Sequence, residues 1–146
     1  MPRFFTLAQA EKLLPQVESA IREAIARKSE YDSAEAECQS FSQRLNVSGG
    51  MHVDRSRLRE QNSRRESAAL RVQDSIERVH ELGCVVKDLD IGLIDFPAMF
   101  NGQEVCLCWK LGESGIQFWH GVQEGFRGRK AIGREFLEHH QGELPN

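Results

Sequence analysis

The residues able to do chemistry crowd into residues 84–129. Cys84-Val-Val-Lys-Asp-Leu-Asp90 is followed by Asp95, by Val105-Cys-Leu-Cys-Trp-Lys-Leu-Gly-Glu113, by Phe118-Trp-His120 and by Arg129. Lys87, Asp88, Asp90, Asp95, Glu113, His120 and Arg129 could converge at one rim, with Trp109 or Trp119 as a wall. Such a set suits a small-ligand site or hydrolytic acid–base chemistry, which needs groups of tuned pKa within hydrogen-bond reach of a substrate. The same residues also have a plain structural use. Aspartates serve turns by bonding local backbone, and a histidine beside Phe118 can be a satisfied core residue. The residue types give no convergence, so no catalytic residue is assigned.

Three other chemistries are weighed on the same stretch. His80, Cys84, Cys106, Cys108 and His120 are metal-ligand types. Structural zinc sites use paired Cys-x2–4-Cys knuckles, and a Cys-x-Cys within a strand is not one. Reduced cysteines behave as small hydrophobes. The reading is therefore no metal and no cofactor, with Cys84, Cys106, Cys108 and His120 as the candidates should one bind. No Walker loop or Gly-x-Gly-x-x-Gly is present. Gly121, Gly125 and Gly128 frame Phe126-Arg127 and Arg129 as an anion-binding turn or as ordinary turns. Cys108 and His120 could pair as nucleophile and base if their strands are adjacent, but no third orienting group is evident.

Positioning these residues requires a sheet. Asn101-Gly102 between two apolar stretches is a strong hairpin signal. It predicts strands near 93–100 and 103–111, with Val105, Leu107, Trp109 and Leu111 on one face and Cys106, Cys108 and Lys110 on the other. A strand near 116–120 would group Ile116, Phe118 and His120 opposite Trp119, and a further strand is expected at 84–89. Pro97 cannot donate to a ladder and belongs at an edge or strand end. The segment from Arg134 to His140 reads as one or two last helical turns or a frayed tail.

The first 83 residues are helical in pattern. Thr6-Leu-Ala-Gln9 is a capping box. Pro15 removes an interior hydrogen bond, which predicts a short first helix that kinks or restarts there. Leu14, Val17, Ile21, Ala24, Tyr31, Cys38 and Leu45 then form a seam of period near 3.5, with Ile25, Ala34 and Phe41 widening it. A turn is expected at Gly49-Gly50. A second helix follows from about 54 to 82, with the stripe Leu58, Arg65, Ala69, Val72, Ile76, Val79 and Leu82, stopped by Gly83. A hairpin about those glycines pairs positions summing to about 99 or 100, so that Phe41 faces Leu58, Val17 faces Leu82 and Ile21 lies beside Val79. Glu30, Asp32, Glu35 and Glu37 then face Arg64, Arg65 and their surroundings. The basic run Arg55, Arg57, Arg59, Arg64 and Arg65 reads as a solvated face partly paired with the partner helix. The distal half is poor in apolar residues, so the tip is expected to be mobile or covered by a second copy.

With 146 residues, 40% hydrophobic and 28% charged, the chain is expected to fold as a soluble protein. A net charge of −3 argues against nucleic-acid binding through overall positive field. Apolar runs fall far short of the roughly 20 residues of a membrane span, and no secretion signal is read, so the expected compartment is the cytoplasm with reduced thiols.

Several strings resemble a known bacterial group. They are Phe5-Thr-Leu-Ala-Gln-Ala-Glu-Lys-Leu-Leu-Pro15, Gly83, Val86-Lys-Asp-Leu-Asp90, Gly92-Leu-Ile-Asp-Phe-Pro97, Leu107-Cys-Trp-Lys-Leu-Gly-Glu113, Trp119-His120 and Gly125-Phe-Arg-Gly-Arg129. Together they resemble domain of unknown function family 2203 over nearly the whole chain. The resemblance implies an architecture and the address of a site, not a reaction. Its pattern carries Cys108 and does not require Cys106, which argues against a Cys106–Cys108 metal pair. A helical arm with a β module is also similar in outline to transcript-cleavage factors of the polymerase secondary channel, but the tip Asn46-Val-Ser-Gly-Gly-Met-His-Val-Asp54 holds only one acid.

The resulting expectation is an α+β protein. Residues 1–83 form a long antiparallel, coiled-coil-like helical hairpin, packed at its base on a small antiparallel β-sheet formed by 84–146. The leading function is a non-enzymatic interaction or structural protein, a homodimer through its helices with a further protein partner in prospect. The alternative is a ligand-binding or hydrolytic protein with its site at Lys87, Asp88, Asp90, Asp95, Glu113, Trp119, His120 and Arg129. A nucleic-acid or polymerase-associated role ranks third.

Overall fold

The computed structural model describes residues 4–47 and 55–142, with backbone only at 46 and 47. Helix α1 runs Leu7–Val47 and helix α2 Arg55–Glu81. The capping box forms as expected. Gln9 N–H donates to Thr6 Oγ1 at 3.1 Å, and Thr6 N–H donates to Gln9 Oε1 at 2.9 Å. Gly83 ends the second helix with its N–H on the His80 carbonyl and φ of 100°, a region costly for other residues.

The helix does not restart at Pro15, which lies inside the continuous α1. Proline removes one ladder bond there, but Ala10, Val17 and Ile21 on either side are fully buried in the core. Burial of roughly 1.5–3 kcal/mol for each large side chain outweighs one lost bond.

The hairpin register agrees with the expectation. Arg64 pairs with Glu37 at 3.0 Å, Arg65 with Glu35 at 3.7 Å and Arg78 with Glu23 at 2.9 Å. Cys38 Sγ lies 3.5 Å from the Gln61 carbonyl. These positions sum to between 99 and 101. Asp32 differs from the expectation and pairs along its own helix with Lys28. The buried positions of α2 are Ala68, Ser75 and Val79, whereas the expected stripe residue Ala69 is exposed. Ser75 can occupy the seam because its hydroxyl donates to the Arg71 carbonyl at 2.8 Å. Small residues at 34, 68 and 75 suit a close seam, and the exposed ion pairs add little to it. The turn at Gly49-Gly50, and the tip around it, lie outside the described residues.

The sheet contains β1 Val85–Asp88, β2 Leu93–Phe100, β3 Gln103–Lys110, β4 Phe118–Gly121, β5 Lys130–Ala131 and β6 His140–Gln141. A short helix α3, Arg134–His139, precedes the last of these. All pairings are antiparallel, in the order β1-β2-β3-β4-β5, with β6 also on β2. Asn101 and Gly102 have φ of 51° and 77°, the left-handed pair that a two-residue hairpin turn needs.

Pro97 falls in mid-strand rather than at a strand end. Its position is nevertheless an edge, because β1 covers β2 only up to Asp95 and β6 begins at Met99. Phe5 N–H fills this gap by donating to the Pro97 carbonyl at 2.7 Å. The proline nitrogen lies on the same side, where no strand demands its proton.

The inner face of the sheet joins the hairpin in one core. Ile94, Phe96, Ala98, Val105, Leu107 and Trp109 pack with Phe5, Ala10, Val17, Ile21, Ala24 and Val79. Cys84 and Ile116 also belong to this core, so Ile116 does not join Phe118 and His120. Its N–H donates instead to Glu11 Oε1 at 3.2 Å.

Candidate functional site

Alternation sends the other side chains of the same strands to the outer face. The register sets Asp95 opposite Cys108, which faces Phe118, and sets Pro97 opposite Cys106, which faces His120. One face of three adjacent strands therefore carries a carboxylate, two thiols and an imidazole. Asp95 is 1% exposed and His120 2% exposed.

His120 Nε2 lies 3.0 Å from Asp95 Oδ1, and His120 Nδ1 lies 2.8 Å from the Gly121 carbonyl oxygen. Both ring nitrogens thus face acceptors. A neutral imidazole carries one N–H, so one of these contacts lacks a proton unless the ring or the carboxyl gains one, or a cation takes its place. Asp95 Oδ2 is buried and has no hydrogen-bond partner of ordinary geometry. The Cys106 and Cys108 thiols bond the Asp95 carboxylate, but S–H is a weak donor, so the buried carboxylate lacks a strong one.

The thiols bear the mark of this crowding. Burial first, and the Asp95 charge second, push both the Cys106 and Cys108 thiols up to about 12. A thiol so raised is neutral at ordinary pH, the reverse of an attacking thiolate. In the folded chain each proton is kept until about pH 12, whereas the unfolded thiol loses it near 9.0. The unfolded state then binds fewer protons, so the stability these thiols contribute is complete below pH 9 and is lost as pH rises toward 12. Urea unfolding at about pH 8 and about pH 10.5 should show a smaller loss for the double variant C106S/C108S than for the parent. Equal losses would contradict this assignment.

A second group adjoins Cys108. Arg129 Nη2 donates to Glu113 Oε1 at 2.6 Å and to the Cys108 carbonyl at 3.3 Å. Its guanidinium lies over the rings of Phe118, at 4.1 Å, and Phe126, at 4.9 Å. Glu113 Oε1 also accepts the Lys110 N–H, and Trp109 Nε1–H donates to the Glu113 carbonyl. The inner-face tryptophan thereby fixes the loop that orients the outer-face arginine.

The candidate residues divide. Asp95, Glu113, His120 and Arg129 share the outer face, and the Lys87 charge reaches Cys106. Asp88 and Asp90 lie elsewhere. Asp90 pairs with Lys28 of α1, holding that ammonium above its ordinary range, and its N–H bonds Asp88 Oδ1. Trp119 packs at a tilt against Phe100 and Phe136, beneath Lys130, and not in the cluster. Of the four cysteine and histidine candidates for metal, Cys106 and His120 come within 4.8 Å of each other and of Asp95. Asp95 is the ligand type that composition alone missed. The Asn-Gly turn held the signal, since a two-residue loop at 101–102 puts 95 opposite 108. The Gly-rich turn does bind an anion, but its own: Glu124 Oε1 accepts the Gly121 N–H at 2.9 Å and Lys130 Nζ at 2.8 Å. Those two contacts, Lys130 first, hold the Glu124 carboxyl below its ordinary range.

Fold and site together define an α+β protein in which a helical hairpin covers one face of an antiparallel sheet and a buried polar cluster occupies the other. Residues 3–132 match the family model described as Uncharacterized conserved protein (DUF2203), and the chain belongs to that family. No curated protein and no solved structure matches the chain. Among the described residues, no helix is long and apolar enough to cross a membrane.

Proposed function

We propose that this is a non-enzymatic binding protein of the bacterial cytoplasm whose functional centre is the outer-face cluster of Asp95, Cys106 and His120. One observation carries the reading: the buried Asp95 carboxylate is met by weak thiol donors and by a histidine whose two nitrogens both face acceptors. Buried acceptors without partners cost stability, and a bound positively charged species would relieve that cost. The absence of a disulfide among the described cysteines accords with a reducing compartment. Neutral thiols and a histidine already engaged at both nitrogens favour binding over nucleophilic chemistry. The basic run offers nucleic acid little, because Arg64 and Arg65 are engaged with Glu37 and Glu35.

Native mass spectrometry of gently purified chain tests the binding centre. The parent is expected to carry a bound species that the isosteric variant Asp95→Asn loses. A parent mass equal to that of the bare chain, or an adduct equally present in both, would overturn the proposal.

A further inference from the structure

The cluster has the ligand set and the spacing of an ion site. Asp95 offers a carboxylate oxygen, Cys106 a sulfur and His120 a ring nitrogen, all within 4.8 Å of one another. They come from three adjacent strands with fixed register, so the set is preorganised rather than assembled by a loop. The 3.0 Å between His120 Nε2 and Asp95 Oδ1 is close to the separation of roughly 3.3 Å that two ligands of one tetrahedral ion keep at bond lengths near 2.0–2.1 Å.

The surroundings fit as well. Metal-bound histidine usually donates its other N–H to a carbonyl or carboxylate, and His120 Nδ1 lies 2.8 Å from the Gly121 carbonyl oxygen. That contact gives Nδ1 the proton and leaves Nε2 as the lone pair. A cation between Nε2 and Asp95 would turn the acceptor–acceptor contact into two bonds and give the carboxylate a stronger partner than the neighbouring thiols supply. Asp95 and His120 are too enclosed for an organic molecule to enter without the sheet opening, whereas Cys106 is only half-buried and leaves a route for an ion.

We infer that Asp95, Cys106 and His120 form a binding site for a single borderline-soft divalent cation of the zinc class, with the fourth position open at the Cys106 side. The inference rests on the reading of this cluster as a binding centre and names its ligand. Thiolate and imidazole select zinc-class ions over magnesium or calcium, which prefer oxygen sets. Cys108 is not a ligand. Its carbonyl accepts from Arg129 Nη2, and the adjacent guanidinium repels a second positive charge. Binding deprotonates the Cys106 thiol, and the proton leaves to solvent.

Cobalt(II) titration of the reduced, chelator-treated full chain tests this. A saturable one-to-one spectrum is expected, with a thiolate-to-cobalt charge-transfer band and tetrahedral d–d bands, displaced by zinc(II). Cys106→Ser should lose the charge-transfer band, and Cys108→Ser should keep it. Far-ultraviolet circular dichroism shows whether each variant folds, and if Cys106→Ser does not, the zinc content of the purified parent decides between one ion per chain and none. No saturable band, a band that survives Cys106→Ser, or one lost in folded Cys108→Ser overturns the site. If cobalt fails while native mass spectra still show an Asp95-dependent adduct, the metal falls and the binding centre stands; if both fail, both fall.

Discussion

His120→Ala is expected to lower the free energy of unfolding by about 2–4 kcal/mol, from the cavity left by the buried ring and the loss of its contacts with Asp95 and the Gly121 carbonyl. The side chains of His120 and Asp95 are 3% and 2% exposed, so water cannot replace the lost contact without entering the sheet face. The Asp95 carboxylate would then keep only its weak thiol partners beside an empty space. The double variant D95L/H120L should recover most of the loss, because well-packed apolar replacements of buried pairs are often neutral or stabilising. Urea unfolding of the parent, both single variants and the double variant gives the coupling directly. A single-variant cost below about 1 kcal/mol would mean that the pair is wet or absent.

Trp109→Ala should cost about 3–5 kcal/mol. Trp109 is 1% exposed on the inner face opposite Ile94, and its removal leaves a cavity between the sheet and the helical hairpin. It also frees the Glu113 carbonyl, which accepts the indole N–H at 3.1 Å. The loop carrying Glu113, the partner of Arg129, would lose one of its anchors and keep its bonds to the Lys110 backbone. Trp109→Phe separates the two effects. It retains most of the packing and should cost about 1 kcal/mol for the hydrogen bond plus a smaller cavity term. Thermal or urea unfolding read by circular dichroism checks both; near-equal costs for alanine and phenylalanine would show that the hydrogen bond, not the packing, dominates.

Local signals in the sequence carried through where they were self-contained. The capping box, the Asn-Gly turn, the alternation of β3 and the hairpin register each depend on residues near one another or on one symmetric fold-back, and each is present. Signals that depend on tertiary competition did not carry through. Pro15 reads as a break, yet burial on both sides keeps the helix whole. Ser75 is absent from the expected stripe, yet it lies buried in the seam with its hydroxyl satisfied on its own helix. The site was half legible. Asp88, Asp90 and Asp95 are alike by type, and only strand parity separates them. The Asn-Gly turn fixes the parity of Asp95 against Cys108. The β3–β4 register that brings His120 opposite Cys106 depends on the irregular segment 111–117, for which no pattern gives a length rule. Trp119 alternates away from His120 for the same parity reason, so it cannot wall the cluster.

The most direct test is nitrogen-15 NMR of the His120 ring at neutral pH in the parent and in Asp95→Asn. The account predicts a protonated Nδ1 held on the Gly121 carbonyl and an Nε2 resonance that moves when Asp95 changes. A bare Nδ1, or an Nε2 signal indifferent to residue 95, would contradict it.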